Sequence, residues 1–186
     1  EEVARTLPED IEIVTFDNTN DFLFASIREV IITLVIAVLL VLLVVLFFLQ
    51  DFRATLVPAL GILVSLIGTF AFMYVAGFSI NLLTLFALVL VIGTVVDDSI
   101  IVVEAVKAQL DNGCTSAYDA SVKAMRGLAT TLFTTTLVFM TIFIPLAFVG
   151  GTTSIFFRQF GLTMAVAVGI SLVNALTLSP AICALI

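Results

Sequence analysis

The stretch VIITLVIAVLLVLLVVLFFL, residues 30–49, decides the class of fold. It is apolar apart from one Thr, and a helix needs about 20 apolar residues to cross a hydrocarbon core about 30 Å thick. The whole chain shares this character, since 62% of its residues are hydrophobic, 11% are charged and the mean hydropathy is +1.31. A soluble domain carries far more charge on its surface. The sequence therefore predicts a multi-pass membrane protein.

Further apolar runs follow the first one. The turn from Gln50 to Arg53 separates the first two spans, and GFSIN, residues 77–81, breaks the uncharged stretch that leads to Asp97. Pro145 and Pro180 are interpreted as kinks or helix ends, because spanning helices tolerate proline. The predicted fold is an all-α polytopic bundle of about five transmembrane helices within residues 29–186, near residues 30–49, 54–76, 82–103, 127–148 and 159–185.

The charged segment 104–126 is predicted to be an aqueous loop between the third and fourth helices. Asn112-Gly113 is a turn signal, and Thr115 or Ser116 can cap a short surface helix. Lys and Arg in short loops favour the cytoplasmic side, so this loop is predicted to be cytoplasmic. The basic residues near the spans are Arg53, Lys107, Lys123 and Arg126 at this end and Arg28 and Arg158 at the other.

Residues 1–28 form a short polar segment that holds seven of the fourteen acids and most of the net charge of −7. IEIVTF, residues 11–16, alternates in a way that fits a strand, and a disordered tail is the alternative. The chain begins with Glu and lacks the basic opening of a signal peptide. We therefore expect a piece of a longer protein, in which residues 1–28 end an extracytoplasmic domain.

The composition argues against several kinds of site. The chain contains no His, the commonest metal ligand and the usual proton carrier near neutral pH. Cys114 and Cys183 are far apart, without CxxC spacing, and are interpreted as free thiols. The scattered Lys and Arg residues give no nucleic-acid footprint, and no nucleotide-binding loop or nucleophile–base pattern is visible. We predict no metal and no cofactor, so proton chemistry must fall to carboxylates.

GTVVDDSIIVVE, residues 93–104, places two adjacent acids inside the third predicted helix. An ionisable residue there costs about 2.5–3.5 kcal/mol on insertion scales. If the helix ends near Val103, Asp97 lies roughly 9 Å from that end, which is too deep for a capping residue. Side chains of successive residues point about 100° apart on a helix. Asp97 and Asp98 can therefore both face the inside of a bundle where several helices converge.

Burial favours the neutral form of a carboxyl group, and repulsion between neighbours opposes the ionisation of both. The two acids would titrate as a coupled pair, which could take up a proton on one side of a membrane and release it on the other. The charged state needs a cation or a chain of water molecules, and Lys107 and Arg126 lie in the predicted loop. We expect the cation to come from elsewhere. Structural hydrogen bonds, a salt bridge, or binding of a cation such as Na⁺ are the alternatives.

Four residues are candidates for support of the acids. Gly93 and Thr94 lie one turn before Asp97 and Asp98, where Gly93 would permit close approach of another helix and Thr94 offers a hydroxyl. In TTLFTTT, residues 130–136, Thr130 and Thr134 share a helix face that could form a polar seam beside the acids. Threonines of this kind more often hold helices together.

Longer stretches resemble a known family. LFFLQDFRAT at residues 46–55, the GxxxDD pattern that ends at Asp98, and the wider sequence of residues 22–60, 77–106, 144–160 and 178–186 closely resemble the N-terminal half of resistance-nodulation-division (RND) exporters of the hydrophobe/amphiphile efflux branch. The resemblance covers nearly the whole chain in order. It implies that the spans are the second to sixth transmembrane helices of such a pump, with residues 1–28 closing its periplasmic porter domain.

The resemblance also implies a function. In such pumps the paired aspartates form the proton relay, carried here onto Asp97 and Asp98, and face a lysine and other polar groups from the C-terminal half. It implies a secondary transporter rather than an enzyme, located in the bacterial inner membrane, that exports drugs or other hydrophobic or amphiphilic compounds in exchange for protons. A homotrimer with a periplasmic adaptor and an outer-membrane channel is the implied assembly.

Two other functions are left open by the residues. A protein- or lipid-exporting relative of the same superfamily would differ mainly in its periplasmic sequence. An intramembrane aspartyl protease also needs two embedded acids, but these normally come from separate helices and converge on one water. The adjacency of Asp97 and Asp98 argues against the protease.

Overall fold

A computed structural model describes residues 19–151 and 153–185, with side chains from Phe24 onward. The α-helices are α1 (Thr19–Leu49), α2 (Phe52–Val75), α3 (Leu82–Asp111), α4 (Ala117–Phe143), α5 (Ser154–Leu176) and α6 (Leu178–Leu185), and a 3₁₀ helix covers Ile144–Phe148. Among these residues there are no strands, and five helical stretches are long and apolar enough to cross a membrane. The predicted all-α membrane bundle is confirmed. The proposed strand at residues 11–16 lies outside the described residues.

Helices α3 and α5 form the centre of the bundle. In the apolar part of the stretch Leu82–Asp111, 50% of the residues are buried, and the share is also 50% in Ser154–Leu185. In the first and fourth spans only 11% are buried. Val91 and Val95 of α3 pack in one core with Ala167 of α5. On α2, a Cβ added to Gly61 would lie 2.9 Å from Ser99 Oγ. The absence of a side chain at Gly61 therefore lets α2 lie directly against α3.

The prediction that residues 104–126 form a loop was wrong. Helix α3 continues to Asp111 and α4 begins at Ala117, so only residues 112–116 separate the two helices. Charge marks where a chain leaves the hydrocarbon, whereas a helix can continue into the headgroup region and beyond. The break comes at the predicted Asn112-Gly113 turn, where Gly113 has a φ of 96°. Ser116 is the N-cap residue of α4, without a capping hydrogen bond from its side chain.

Other helix ends also differ from those predicted. Helix α1 begins at Thr19 rather than near residue 30, and α5 begins at Ser154 rather than near residue 159. The fourth span changes from α-helix to 3₁₀ helix after Phe143, and the fifth is interrupted between Leu176 and Leu178. Pro145 and Pro180 explain both breaks, because a proline ring clashes with the carbonyl of the residue four positions earlier.

Hydrogen bonds at both ends hold α3 in place. At one end Lys107 Nζ lies 3.5 Å from the carbonyl oxygen of Leu49, the last residue of α1. At the other end Gln159 Oε1 of α5 accepts hydrogen bonds from Ser79 Oγ at 3.1 Å and Asn81 Nδ2 at 2.9 Å. Asn81 also caps α3. These contacts fix the position of α3 along its axis relative to its neighbours.

Candidate functional site

The two adjacent acids lie at the middle of the central helix. From Asp97, α3 extends to Leu82 in one direction and to Asp111 in the other, roughly 21–23 Å each way at about 1.5 Å per residue. The helix end predicted from the sequence, near Val103, would place Asp97 much nearer the end of α3. The pair is therefore far from both ends of α3.

Asp98 points toward α5. Ser171 Oγ donates a hydrogen bond to Asp98 Oδ2 at 2.7 Å, and Ser171 itself is only 1% exposed. The next residue, Ser99, is also buried, but it packs at Gly61 of α2 and bonds to the carbonyl of its own helix at Val95. A hydrogen bond to an ionised carboxylate is stronger than one between neutral groups. The contact with Ser171 therefore stabilises the charged form of Asp98 relative to the neutral form.

Asp97 faces a different environment. It is exposed on the surface of the described helices, beside a groove between α1 and α3 that is lined by Leu40, Val44 and Gly93 among others. Among the residues that the structure describes, no group donates a hydrogen bond to its side chain. The groove wall is apolar, so Asp97 is the polar group on this side of α3. The two carboxylates thus face different elements instead of converging on one point, as an aspartyl protease would require.

The predicted supporting residues have local partners or none. A Cβ added to Gly93 would meet nothing within 4 Å, so no described helix uses the close approach that Gly93 permits. Thr94 Oγ1 donates to the Val91 carbonyl of its own helix at 3.0 Å. Thr130 and Thr134 are exposed, and Thr134 Oγ1 donates to the Thr130 carbonyl at 2.8 Å. The buried residues in this part of α4 are instead Leu132 and Thr136.

A second polar contact of α5, fully buried, lies one turn beyond Ser171. Asn174 Nδ2 of α5 donates to Ser65 Oγ of α2 at 2.8 Å, and the two residues are 6% and 0% exposed. Burial of a polar group is unfavourable unless it is hydrogen-bonded, so this pair is a specific attachment between α2 and α5. Neither contact was predicted from the sequence, although the polar i and i+3 positions of SLVN, residues 171–174, were a visible signal in an apolar run.

The described residues show two further features that bear on chemistry. Cys114 and Cys183 are free thiols, as predicted. No group of three or more His, Cys, Asp or Glu side chains comes together within the described ranges in a way that could hold a metal ion.

Comparison with known proteins gives a consistent result. The sequence matches the AcrB/AcrD/AcrF family over residues 1–186. It is 42% identical over 182 residues to multidrug resistance protein MdtC of Enterobacter sp. (strain 638) and of Klebsiella pneumoniae (strain 342), and 41% identical over 182 residues to MdtC of Escherichia coli (strain K12 / DH10B). Each alignment covers 98% of this chain and 18% of the relative, so the chain spans less than a fifth of the length of these curated relatives.

Proposed function

The chain belongs to the AcrB/AcrD/AcrF family of RND transporters, and from this premise we propose that it forms the proton-relay part of an exporter driven by the proton-motive force. The exporter takes drugs or other hydrophobic or amphiphilic compounds and exchanges them for protons. Asp97 and Asp98 carry the protons. The names of the relatives, multidrug resistance proteins, support a transporter rather than an enzyme.

The observation that carries the proposal is the different surroundings of the two acids. Asp98 is hydrogen-bonded to Ser171 inside the bundle, whereas Asp97 lies beside an apolar groove, within the part of α3 that precedes the charges beginning at Glu104. A charged side chain that faces lipid within a spanning segment is unfavourable. Asp97 is therefore covered by protein from the rest of the pump, and the lysine that the family resemblance implies supplies the charge that an ionised acid needs.

Protonation then changes what the helices can do. A neutral carboxyl group no longer needs the facing cation, so α3 can shift against the helices that carry it. Moving one charge through 100 mV releases about 2.3 kcal/mol, and one pH unit adds about 1.4 kcal/mol per proton. These sums are comparable to the cost of about 2.5–3.5 kcal/mol for an aspartate within a membrane. The membrane potential and the pH difference together therefore supply energy of the size that the relay requires, with one or several protons per cycle.

The arrangement in the cell follows from the same proposal. The bundle lies in the bacterial inner membrane, with residues 1–28 on the periplasmic side as the end of the porter domain and the turn at residues 112–116 on the cytoplasmic side. The basic residues near that turn support this orientation. The whole pump is a homotrimer that works with a periplasmic adaptor and an outer-membrane channel.

The test replaces one acid at a time in the full-length pump. In a host that lacks other pumps, Asp97→Asn and Asp98→Asn should each lower resistance to exported compounds to the level of cells without the pump. Asp111→Asn is the matched control, because it makes the same chemical change at the exposed end of the same helix. It should leave resistance unchanged.

The amount of each of the three variants in the membrane and its oligomeric state are measured in parallel. Full resistance in cells that express Asp97→Asn or Asp98→Asn at the wild-type level would contradict the proposed relay. Equal losses in all three variants would contradict it as well, because the effect would then not depend on the position of the acids.

A further inference from the structure

Two buried side chains of α5 donate hydrogen bonds to two different helices. Ser171 reaches Asp98 of α3 at 2.7 Å, and Asn174, three residues later, reaches Ser65 of α2 at 2.8 Å. Residues three apart lie on neighbouring parts of one helix face. One face of α5 therefore connects an acid of the proposed relay to a helix that carries no acid within its span.

The first contact depends on the charge of Asp98. The Ser171 hydroxyl donates to a carboxylate, and this hydrogen bond loses its charge assistance when the carboxylate takes up a proton. Within the described membrane-spanning stretches, Asp97 is the only other acid near Asp98. The remaining ionisable side chains on the described helices lie toward their ends: Arg28, Glu29, Arg53, Tyr74, Glu104, Lys107, Asp111, Tyr118, Asp119, Lys123, Arg126, Arg158 and Cys183.

The second contact resists sliding between α2 and α5. Both partners are buried, so breaking the hydrogen bond would leave polar atoms without a partner in a place that excludes water. The packing beside it is also tight, because a Cβ on Gly68 of α2 would lie 3.1 Å from Ile170 Cδ1 of α5. A displacement of α5 is therefore passed to α2.

We propose that Ser171 and Asn174 are positioning residues through which α5 transmits the charge state of Asp98 to α2, an inference that rests on the proposed proton relay. Ser171 holds the carboxylate of Asp98 and responds to its protonation. Asn174 fixes α5 to Ser65, so that α2 and α5 move together when the contact between α3 and α5 changes.

The first experiment measures the protonation of Asp98 directly. A hydrophobic carbodiimide reacts with protonated carboxyl groups. In the Asp97→Asn background of the full-length pump, Asp98 is the acid of this pair that can still react, so labelling of the pair measures the protonation of Asp98. Ser171→Ala should move the pH of half-maximal labelling upward by about one unit, because a charge-assisted hydrogen bond to the carboxylate is lost. Ser171→Thr keeps a hydroxyl and should retain the original profile.

Ser179→Ala is the matched control. Ser179 is 0% exposed in α6, and its hydroxyl has no hydrogen-bond partner among the described residues. The same substitution at an equally buried serine should leave the labelling profile unchanged. Identical profiles for Ser171→Ala, Ser179→Ala and the parent protein would overturn the role of Ser171. If Asp98→Asn itself retained export, the proposed relay would fail instead, so the two failures are distinguishable.

The second experiment separates transmission from protonation. Ser65→Ala and Asn174→Leu should each lower export several-fold, the double variant should be no worse than Asn174→Leu alone, and none of the three should move the labelling profile of Asp98. Ser65→Ala removes a single oxygen atom and keeps the test usable if Asn174→Leu does not assemble. Wild-type export by Ser65→Ala, or a shift of the labelling profile by it, would overturn the role assigned to the α2–α5 contact.

Discussion

Replacement of Gly161 by alanine should destabilise the bundle. Gly161 lies in α5 where it crosses the end of α4, and an added Cβ would be 2.6 Å from the carbonyl oxygen of Phe143 and 2.9 Å from Leu146 Cβ. An ordinary contact between carbon and a carbonyl oxygen is about 3.3 Å or longer. The new methyl group is therefore about 0.7 Å too close to a backbone atom, which cannot rotate away as a side chain would.

The magnitude follows from two opposing effects. Overpacking of a well-packed interior costs about 1–3 kcal/mol, whereas alanine is favoured over glycine inside a helix by up to about 1 kcal/mol. We expect a net loss of about 1–2 kcal/mol, because α4 and α5 must separate to relieve the clash. Since α5 also carries Ser171, the same separation should weaken the contact with Asp98 and lower export.

Thermal melting of the detergent-solubilised full-length pump, followed by size-exclusion chromatography, measures the effect. Gly127→Ala is the matched control, because a Cβ at this helical position meets nothing within 4 Å. The control should melt at the wild-type temperature or slightly above it, through its better helix propensity. If Gly161→Ala melted as high as Gly127→Ala, the close crossing of α4 and α5 would be refuted.

Three further predictions concern the ends of the helices. Asn81→Ala should cost about 1–2 kcal/mol through loss of the α3 cap and of its bond to α5, whereas Ser116→Ala, whose side chain makes no capping bond, should change the melting temperature little; equal effects would contradict this. Lys107→Met should lower the free energy of unfolding by about 0.3–1 kcal/mol at low salt and by less at high salt, because Lys107 places a positive charge at the C-terminal end of α1. A loss of stability that does not depend on salt would contradict this electrostatic role. An impermeant maleimide should label Ala76→Cys from the periplasm and Cys114 only after the inner membrane is opened, and the reverse pattern would invert the proposed topology.

The class of fold was predictable because hydropathy is summed over some 20 residues in each span and single exceptions do not change the sum. The family resemblance read from LFFLQDFRAT and GTVVDD is confirmed by the match over the whole chain. Helix ends were less predictable, because the charges of residues 104–126 report the membrane surface and not the end of a helix. The Asn112-Gly113 turn was the reliable signal, since it requires a backbone conformation that a helix cannot contain.

The acids of the site were visible in the sequence because ionisable residues inside an apolar run are rare. Their partners were not, because the meeting of Ser171 with Asp98 and of Asn174 with Ser65 depends on how each helix is rotated about its axis. That rotation is set by close contacts such as Gly61 against Ser99, which involve residues far apart in sequence. The hydroxyls of Thr94 and Thr134 donate hydrogen bonds to carbonyls of their own helices, so their predicted role beside the acids stays a prediction.

The adjacency of the two acids has a geometric consequence for the proposed relay. Side chains of successive residues point about 100° apart on a helix, so one acid of an adjacent pair can contact its own bundle while the other faces outward. Asp98 contacts Ser171 in this way, and Asp97 lies beside the open groove at α1. Acids one turn apart would share a single face and meet the same neighbours. In the proposed relay, placing them side by side lets α3 respond both to the cation proposed to face Asp97 and to the position of α5.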